Sequence, residues 1–413
     1  MGNIIRRCLG KGKRIIKIKQ AEIKLKNASS WKHLKTKKMK VGFIVQMTEI
    51  WDKQEPVFEY MKQNPNIDTS LIVVPPYDFE NNAVTKDYSD NYFINNYPDD
   101  CIKAFNADGS LIKIQDYEFD YIFFSRPYDS YLPDGLRSSC VARYAKCCYI
   151  PYGYSGSDNF NSMITDVSFF GNMYFIFPES PYMESVFLNY KCYKKNSEKS
   201  IQKIKCLGYP SLAQFLKAEL GETEKTVLWT PRWSYAPKIG GSHFIEFKDE
   251  FLELTEKYPD YKFIFRPHPL MFQELIKTGK MTRSQVDEFL EKLKSSSVIY
   301  DKGTPIYESI AKSAIIISDY SSIVINMALA EKPVIYFPGE VYSNGDYKQL
   351  SDGFYVVNST QELVTAFEKL ISGDDSLKEK RKQIKEKYAD LHLNSAEKIS
   401  CAIIDDFNKN VKL

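Results

Sequence analysis

Short apolar runs alternate with amphipathic segments from residue 40 to the end of the sequence. The runs Val41–Val45 and Ile315–Ile317 are typical of strands, and the segments between such runs place apolar residues at helical spacing. This alternation predicts an α/β fold with parallel sheets. The other predicted strands span residues 70–74, 121–124, 148–150, 174–177, 227–229, 263–265, 298–300 and 334–337. The predicted helices span residues 55–63, 138–146, 181–189, 247–257, 283–293, 322–329, 360–371, 376–388 and 395–407.

The polar stretch 194–200 interrupts the alternation and is the best candidate for a linker. A chain of 413 residues also exceeds the size of about 250 residues at which single cores stop growing. We therefore predict two α/β domains, over residues 40–195 and 201–390, whose parallel sheets face a cleft. A C-terminal helix in residues 391–413 follows the second domain.

Residues 1–39 form a basic arm with a different pattern. Residues 1–40 hold 14 Lys and Arg and a single acid, Glu22, for a net charge of +13, whereas the rest of the chain carries −10. The formal net charge of +3 for the whole chain hides this division. The acidic body excludes a protein whose whole surface binds nucleic acid, because such a surface needs distributed Lys and Arg.

The apolar residues of the arm fall within one arc of about 140° on a helical wheel. These residues are Ile4, Ile5, Cys8, Leu9, Ile15, Ile16 and Ile23. Gly10 and Gly12 would interrupt a continuous helix. Such an arm suits attachment to an anionic membrane surface, where each basic residue contributes about 1 kcal/mol. A solvated, partly disordered leader and an RNA-binding segment are the alternatives.

The sharpest chemical signal is Ser318-Asp319-Tyr320-Ser321-Ser322, which joins a predicted strand to a predicted helix. A helix that begins at the carboxyl end of a strand points backbone N–H groups toward the ligand crevice of the sheet. The small hydroxyl residues Ser321 and Ser322 would let an anion approach and would add two donors. The alternative is that one of these serines only caps the helix.

Two further strand ends of the second domain carry cationic side chains. Arg266-Pro267-His268-Pro269 follows one predicted strand, and Thr230-Pro231-Arg232-Trp233 follows another, with Gly240-Gly241-Ser242-His243 beyond it. Arginine offers a planar fork for phosphate, and histidine titrates near neutral pH. Because three strand ends of one sheet deliver these groups, we predict an anionic, phosphorylated ligand.

Several well-known catalytic motifs are missing from the sequence. It contains no P-loop, GxGxxG, GxSxG or HExxH pattern. Its eight cysteines show neither a CxxC pair nor Cys/His ligand spacing. We therefore expect no metal site and no cofactor.

The combined motifs Arg266–Pro269, Asp319–Ser322 and Lys332–Tyr336 resemble the CDP-glycerol glycerophosphotransferase family, the TagB/TagF-like enzymes of teichoic acid and capsule assembly. The stretch Cys206–Pro210 and the turn Thr230–Trp233 are similar to that family as well. The resemblance implies a GT-B fold of two Rossmann-like domains, in which the C-terminal domain holds the nucleotide and the N-terminal domain holds the acceptor.

The resemblance also implies roles for individual residues. His268 is the expected catalytic residue. The residues expected to bind the donor phosphates are Arg232, Arg266, Asp319, Ser321 and Ser322. On the acceptor side the family shows a His-Gly-Thr-type motif, but the corresponding strand end here carries Tyr152 and Gly153, and the nearest carboxylate is Asp158. These three residues are the acceptor-side candidates.

The predicted function is transfer of glycerol phosphate, or a related polyol phosphate, from a CDP-activated donor to a hydroxyl of a glycan or lipid-linked acceptor in teichoic acid or capsular polysaccharide synthesis. CDP-glycerol would be a co-substrate, and no nucleic-acid partner is expected. The alternative is a GT-B glycosyltransferase that uses a nucleotide sugar to build a cell-surface glycan. The predicted location is cytoplasmic, with peripheral attachment to the inner face of a bacterial plasma membrane through residues 1–39.

Overall fold

The fold is described from a computed structural model of the chain. The described residues are 2–32, 37–78, 83–84, 88, 91–155, 163–217, 224–236, 241–302, 306–321, 323–338 and 346–411. They form two structural units. Among these residues, the first unit holds those from 2 to 155, from 163 to 211 and from 394 to 411, and the second holds those from 212 to 393.

The first unit contains a seven-stranded parallel sheet and a short antiparallel pair. Its strands are β1 Met39–Val45, β2 Ile67–Val73, β3 Tyr77–Asp78, β4 Ala83–Val84, β5 Cys101–Lys103, β6 Tyr121–Phe124, β7 Lys146–Tyr149, β8 Met173–Ile176 and β9 Lys203–Ile204. Its first six helices are α1 Gly2–Ser29, α2 Glu55–Lys62, α3 Tyr92–Asn96, α4 Ser138–Val141, α5 Pro181–Asn189 and α6 Lys191–Glu198.

The seven strands lie in the order β5-β2-β1-β6-β7-β8-β9. All four residues of β6 and of β7 are buried, as expected for a parallel sheet that is covered on both faces. Since β1 pairs with β2 on one side and β6 on the other, the strand order reverses between β1 and β6. Ligands of open α/β sheets bind at such a switch point, beyond the carboxyl ends of the strands.

Residues Gly2–Ser29 of the basic arm form one continuous helix, α1, that packs against the rest of the first unit. The prediction that Gly10 and Gly12 interrupt it is wrong. Ala21 and Leu25 of α1 are buried. At Gly171 an added Cβ would lie 3.1 Å from the Cβ of Ala21, so the glycine permits this close approach. Tertiary packing of this face stabilises the helix despite its glycines.

The last helix of the chain, α16 Ser395–Asn408, belongs to the first unit. Its Asp406 is 2% exposed and accepts hydrogen bonds from Lys146 Nζ at 2.7 Å, Tyr121 Oη at 2.7 Å and Tyr174 Oη at 3.0 Å. Lys203 Nζ is a further donor to this carboxylate. Burial raises the pKa of Asp406, but Lys146 and the other donors outweigh it and leave the pKa lowered. The ionised Asp406 therefore ties α16 to the amino ends of four strands.

The second unit contains a six-stranded sheet that is parallel throughout. Its strands are β10 Thr226–Thr230, β11 Lys262–Phe265, β12 Ile299–Tyr300, β13 Ile315–Asp319, β14 Val334–Phe337 and β15 Tyr355–Val356. Its helices are α7 Ala213–Lys217, α8 Phe244–Lys257, α9 Met271–Lys277, α10 Arg283–Ser295, α11 Ile306–Lys312, α12 Val324–Leu329, α13 Asp346–Ser351, α14 Thr360–Ile371 and α15 Lys378–His392.

The strands of the second unit lie in the order β12-β11-β10-β13-β14-β15, so its switch point lies between β10 and β13. Trp229 of β10 packs against Phe247 and Phe251 of α8, which fixes this helix on the sheet. Helix starts are specified locally as well. At α10, Thr282 and Gln285 form a reciprocal capping box.

The predicted α/β class with parallel sheets is confirmed, but two local predictions are wrong. The helix predicted over residues 138–146 ends at Val141, because Lys146 already begins β7. The predicted linker 194–200 is largely helical, since α6 covers Lys191–Glu198. Along the chain, the boundary between the two units falls between residues 211 and 212, after β9 has joined the first sheet. Among the described helices, none has the length and apolar character needed to cross a membrane.

Candidate active site

Asp319 joins the two strands that flank the switch point of the second unit. It is the last residue of β13, and only 2% of it is exposed. Its Oδ2 accepts a hydrogen bond of 2.8 Å from the backbone N–H of Arg232, which lies just beyond β10. Two residues predicted from separate motifs are therefore in direct contact. Asp319 therefore acts as a latch: it holds the loop after β10 that contains Arg232, the Arg232 loop, against the end of β13.

His243 is the second partner of Asp319, and the sequence analysis did not include it among the site residues. Its Nδ1 lies 2.8 Å from Asp319 Oδ1, and its backbone N–H donates to Asp319 Oδ2 at 3.2 Å. The ring stacks on Phe337 with centroids 4.4 Å apart. Burial lowers the pKa of His243, but the hydrogen bond and charge of Asp319 outweigh it, so the pKa is raised. The only signal in the sequence was a histidine that ends a Gly-Gly-Ser loop after a strand.

The Arg232 guanidinium is held at the edge of the sheet by the chain segment that follows β13. Its Nη1 donates to the carbonyl oxygen of Tyr320 at 3.1 Å, and its central carbon lies 5.0 Å from the centroid of the Tyr320 ring. Ser242 Oγ donates to the carbonyl oxygen of Arg232 at 2.7 Å. The two contacts with Tyr320 restrict the rotamers of Arg232, so less entropy is lost when it binds an anion.

His268 lies in the loop beyond β11 and is exposed to solvent, although neighbouring atoms surround part of its ring. Its Nδ1 accepts a hydrogen bond of 3.2 Å from the backbone N–H of Leu270, so the neutral ring carries its proton on Nε2. Burial against neighbouring atoms, and then repulsion by Arg232, lower the pKa of His268 to about 4. At neutral pH the ring is therefore an uncharged hydrogen-bond donor beside a fixed guanidinium.

Arg266 has a different environment from Arg232. Its Nη1 donates to Asp301 Oδ2 at 2.8 Å and to Ser309 Oγ at 3.2 Å, and Ser309 Oγ donates to the same carboxylate oxygen at 2.8 Å. Asp301 is 8% exposed. A guanidinium that is paired with a buried carboxylate contributes less net charge to a ligand. This geometry favours a supporting role for Arg266 beneath the His268 loop.

Ser321 follows Asp319 and Tyr320 at the same edge. Its Oγ accepts a hydrogen bond from the backbone N–H of Ile323 at 3.4 Å, and its carbonyl oxygen accepts one from Val324 at 3.2 Å. Helix α12 begins at Val324 and has six residues, so its dipole offers less support to an anion than the sequence suggested. Ser322 lies outside the described residues.

The acceptor-side candidates lie beyond β7 of the first unit. Tyr152 Oη is 3.1 Å from Tyr128 Oη, and the Tyr209 hydroxyl donates to the carbonyl oxygen of Pro151 at 2.9 Å. Gly153 follows Tyr152 in this turn, whereas Asp158 lies outside the described residues. Burial and the Tyr128 hydrogen bond raise the pKa of Tyr152. Tyr152 is therefore protonated at neutral pH, as a hydrogen-bonding group rather than a base.

The switch point of the first unit, between β1 and β6, carries residues that the sequence analysis missed. Gln46 follows β1 and donates from Nε2 to the carbonyl oxygen of Tyr131 at 2.8 Å. Arg126 follows β6, and its guanidinium carbon lies 4.1 Å from the Tyr131 ring centroid. No sequence motif marked Arg126, because a lone arginine after a strand is common.

The described residues contain no group of three or more His, Cys, Asp or Glu side chains placed to hold a metal ion.

A family comparison decides how this geometry is classified. The family described as CDP-glycerol:poly(glycerophosphate) glycerophosphotransferase matches residues 194–404, about half of the chain. The chain belongs to this family. The matched segment of this glycerophosphotransferase contains Arg232, His243, His268 and Asp319. Tyr152 and Arg126 lie outside it, so no family match covers the candidate residues of the first unit.

Solved structures show that the glycerophosphotransferase has a GT-B type fold. The wall teichoic acid polymerase TagF is 14% identical with a TM-score of 0.54, covering 99% of this chain and 98% of that chain. UDP-GlcNAc 2-epimerase from Neisseria meningitidis is 15% identical with a TM-score of 0.54, covering 89% of this chain and all of that one. UDP-GlcNAc 2-epimerase from Methanocaldococcus jannaschii is 14% identical with a TM-score of 0.55, covering 89% of this chain and 100% of that chain. No curated protein matches the chain in sequence.

Proposed function

We propose that this chain transfers glycerol phosphate from CDP-glycerol to a hydroxyl group of a glycan or lipid-linked acceptor in teichoic acid or capsular polysaccharide synthesis. One observation carries the proposal. The segment that matches the glycerophosphotransferase family contains the sheet edge at which Arg232 contacts Asp319 and the Trp233 ring lies 5.8 Å from that of His268, between centroids. The similarity in fold to the wall teichoic acid polymerase supports the choice of teichoic acid over other polymers.

The chemistry of this reaction matches the donor edge of the second unit. The oxygen of the acceptor hydroxyl forms a bond to the phosphorus that bears glycerol and loses its proton to the solvent. The bond from that phosphorus to the bridging oxygen breaks, and CMP leaves with one additional negative charge. Phosphoryl transfer is accelerated mainly by groups that are positioned to stabilise such charge. Arg232 supplies a positive charge, and His268 supplies an N–H from Nε2. Asp319 keeps the Arg232 loop in place and stays out of contact with the phosphates.

We propose that no resident cofactor or metal takes part, because Arg232 and His268 supply the neutralising groups. Turnover in EDTA equal to turnover in added Mg²⁺ is the expected result. A loss of turnover in EDTA that Mg²⁺ restores would replace this part of the proposal with metal-assisted transfer.

A donor screen tests the main proposal. The full chain is incubated with a glycan acceptor and either CDP-glycerol or a panel of UDP- and GDP-sugars, and products are identified by mass spectrometry. Release of CMP, with addition of one glycerol phosphate to the acceptor, is expected from CDP-glycerol alone. Release of UDP or GDP with transfer of a sugar would show instead a glycosyltransferase, and the proposed reaction would be abandoned.

We further propose that α1 attaches the enzyme to an anionic membrane surface. Three isoleucines lie on the face of α1 opposite the packed side, where Ile15, Ile16 and Ile23 are 54%, 57% and 59% exposed. The exposed Lys19 and Lys26 lie beside these isoleucines on the helix surface. Apolar residues flanked by lysines are typical of helices that lie in the membrane interface. This arrangement supports peripheral attachment to such a surface.

Vesicle sedimentation tests this attachment with the full-length chain. Wild-type protein is expected to sediment with vesicles that contain phosphatidylglycerol and much less with phosphatidylcholine vesicles. The triple variant Ile15→Ser, Ile16→Ser and Ile23→Ser should remain in the supernatant. A control variant, Ile299→Ser with Val356→Ser, removes exposed apolar residues from the second unit and should sediment like the wild type. Equal sedimentation of both variants would contradict the role of α1.

A further inference from the structure

The carboxyl edge of the first unit carries a cluster that the donor chemistry does not use. We define the Arg126 cluster as Arg126, Tyr128, Tyr131 and Tyr152. The Arg126 guanidinium lies over the Tyr131 ring, with 4.1 Å between the guanidinium carbon and the ring centroid. The Tyr128 ring lies 5.8 Å from that of Tyr131 and 6.1 Å from that of Tyr152, between centroids. One cation and three phenols therefore share a single patch.

Arg126 has no counter-ion in this patch. Within the described part of the chain it makes no hydrogen bond and no ion pair, and it is half-buried. Two other arginines show the paired state: Arg266 lies 2.8 Å from Asp301, and Arg137 lies 2.6 Å from Asp134. Stacking on Tyr131 orients the guanidinium without neutralising it. Such an arginine retains its charge and its donors for an anion from solution.

The location of the cluster also favours a ligand. Arg126 comes two residues after β6, and Gln46 directly follows β1, so both lie at the switch point of the first sheet. The cavity between them, which Phe124 and Tyr128 also line, has a volume of about 10 Å³, too small for more than one water. A ligand would therefore lie across the surface of the cluster, against the exposed face of Tyr131, and not within the sheet edge.

The chemistry of the cluster defines the class of ligand. A guanidinium fork matches the oxygens of a phosphate, and the hydroxyls of Tyr128 and Tyr152 can exchange hydrogen bonds with alcohol groups. We propose that the Arg126 cluster binds a phosphate ester of a sugar or polyol, as the part of the acceptor next to its reactive hydroxyl. The assignment of this ligand as the acceptor rests on the proposed function, whereas the binding site itself rests on the cluster alone.

Calorimetric titration of the full chain tests the binding site. The probes are glucose 1-phosphate and glycerol 3-phosphate, with glucose, glycerol and inorganic phosphate as partial ligands. All titrations use an Arg232→Gln background, so that the donor site of the second unit does not contribute. Arg126→Gln is expected to weaken binding of both esters at least about tenfold, on the scale of a lost charge-assisted bidentate contact. The affinity of Arg126→Lys for both esters should lie between those of the parent and of Arg126→Gln, because lysine retains the charge but lacks the planar guanidinium.

Arg143→Gln is the matched control. Arg143 is an exposed arginine of the same unit that lies before the amino end of β7, and its removal changes the net charge equally. This variant should bind both esters like the parent. Equal binding by Arg126→Gln and its parent would overturn the proposal. Equal affinity for inorganic phosphate and for the esters would overturn the choice of a polyol ester.

Steady-state kinetics in the wild-type background separate this inference from the proposed function. Arg126→Gln should raise the KM for the acceptor about tenfold and leave the KM for CDP-glycerol unchanged, because the cluster lies in the first unit. An unchanged KM for the acceptor would overturn the acceptor assignment. If the wild type releases no CMP from CDP-glycerol while ester binding still depends on Arg126, the proposed function fails and the binding site stands.

Discussion

The two sheets have the same strand order around their switch points but handle charge in opposite ways. In the second unit, the buried Asp319 accepts hydrogen bonds from the backbone N–H groups of Arg232 and His243. Its other carboxylate oxygen lies within hydrogen-bond distance of Nδ1 of the His243 ring. In the first unit, Arg126 stacks on Tyr131 and pairs with no carboxylate among the described residues. The described part of the first unit also contains no histidine. The sheet edge of the second unit therefore carries hydrogen bonds that meet at one buried carboxylate. The sheet edge of the first unit carries a single oriented cation among tyrosines.

This difference fits the two tasks that we propose for the two edges. Transfer of a phosphoryl group requires donors that stay in place while charge develops, and a buried carboxylate latch provides such rigidity. Binding of an acceptor requires less, since an oriented arginine and phenol hydroxyls suffice for recognition. The strand order fixes where ligands bind, and the residues directly after the strands decide what each edge can do.

The largest expected effect comes from His268, which tests whether the second edge is the catalytic one. His268→Ala should lower kcat at least about 100-fold, because the leaving CMP loses a positioned donor. His268→Gln, which keeps an N–H at the position of Nε2, should restore part of this loss. Near-wild-type turnover of the alanine variant would remove the functional distinction between the two edges.

Asp319→Asn tests the latch. The amide retains the size of the carboxylate but has one acceptor oxygen in place of two, so the N–H groups of Arg232 and His243 lose part of their bonding. We expect a loss of about 1–3 kcal/mol in the free energy of unfolding, together with a higher KM for CDP-glycerol. Thermal denaturation and donor kinetics measure the two effects. Unchanged donor kinetics in a destabilised variant would limit Asp319 to stability.

The pH dependence of the two histidines should differ in sign. The raised pKa of His243 means that its ion pair with Asp319 stabilises the fold fully below the unfolded pKa of about 6.5, and that this contribution is lost as pH rises through the folded pKa. His268, with its pKa lowered to about 4, is instead destabilising as pH falls from about 6.5 toward that value.

Thermal melts over a pH series separate these contributions. His243→Asn keeps an N–H near the position of Nδ1 but cannot ionise. The stability of this variant should therefore not fall as the pH rises through the folded pKa of His243. His268→Gln should lose the decrease on the acid side. An asparagine variant that retains the alkaline decrease would show that another group causes it.

The smallest expected effect is that of Tyr152→Phe. Since the pKa of Tyr152 is raised, the phenol stays protonated, and its removal deletes a hydrogen bond to Tyr128 without removing a base. We expect acceptor KM to rise by less than about fivefold, the scale of one neutral hydrogen bond, with kcat unchanged. A loss of kcat comparable to that of His268→Ala would make Tyr152 part of the catalytic machinery.

The sequence predicted the second unit better than the first. Arg232, His268 and Asp319 could be proposed from the sequence because each follows an unbroken apolar run, and strand ends of one sheet converge. His243 and Arg126 were missed because their roles depend on contacts across the fold, with Asp319 from a strand 76 residues away and with the Tyr131 ring. The continuous helix α1 was missed for a similar reason, since the packing of Ala21 against Gly171 outweighs the weak helix propensity of two glycines.

The hydrogen bonds of Asp406 bear on the order in which the two units fold during synthesis. Domains usually fold as they leave the ribosome, the first one first. Here the carboxylate that neutralises Lys146 comes from a residue 260 positions later in the chain. Until Asp406 emerges, the first unit carries a buried lysine without its counter-ion, whereas residues 212–393 can already complete their own sheet. The unit that is translated second is therefore expected to reach its native packing first.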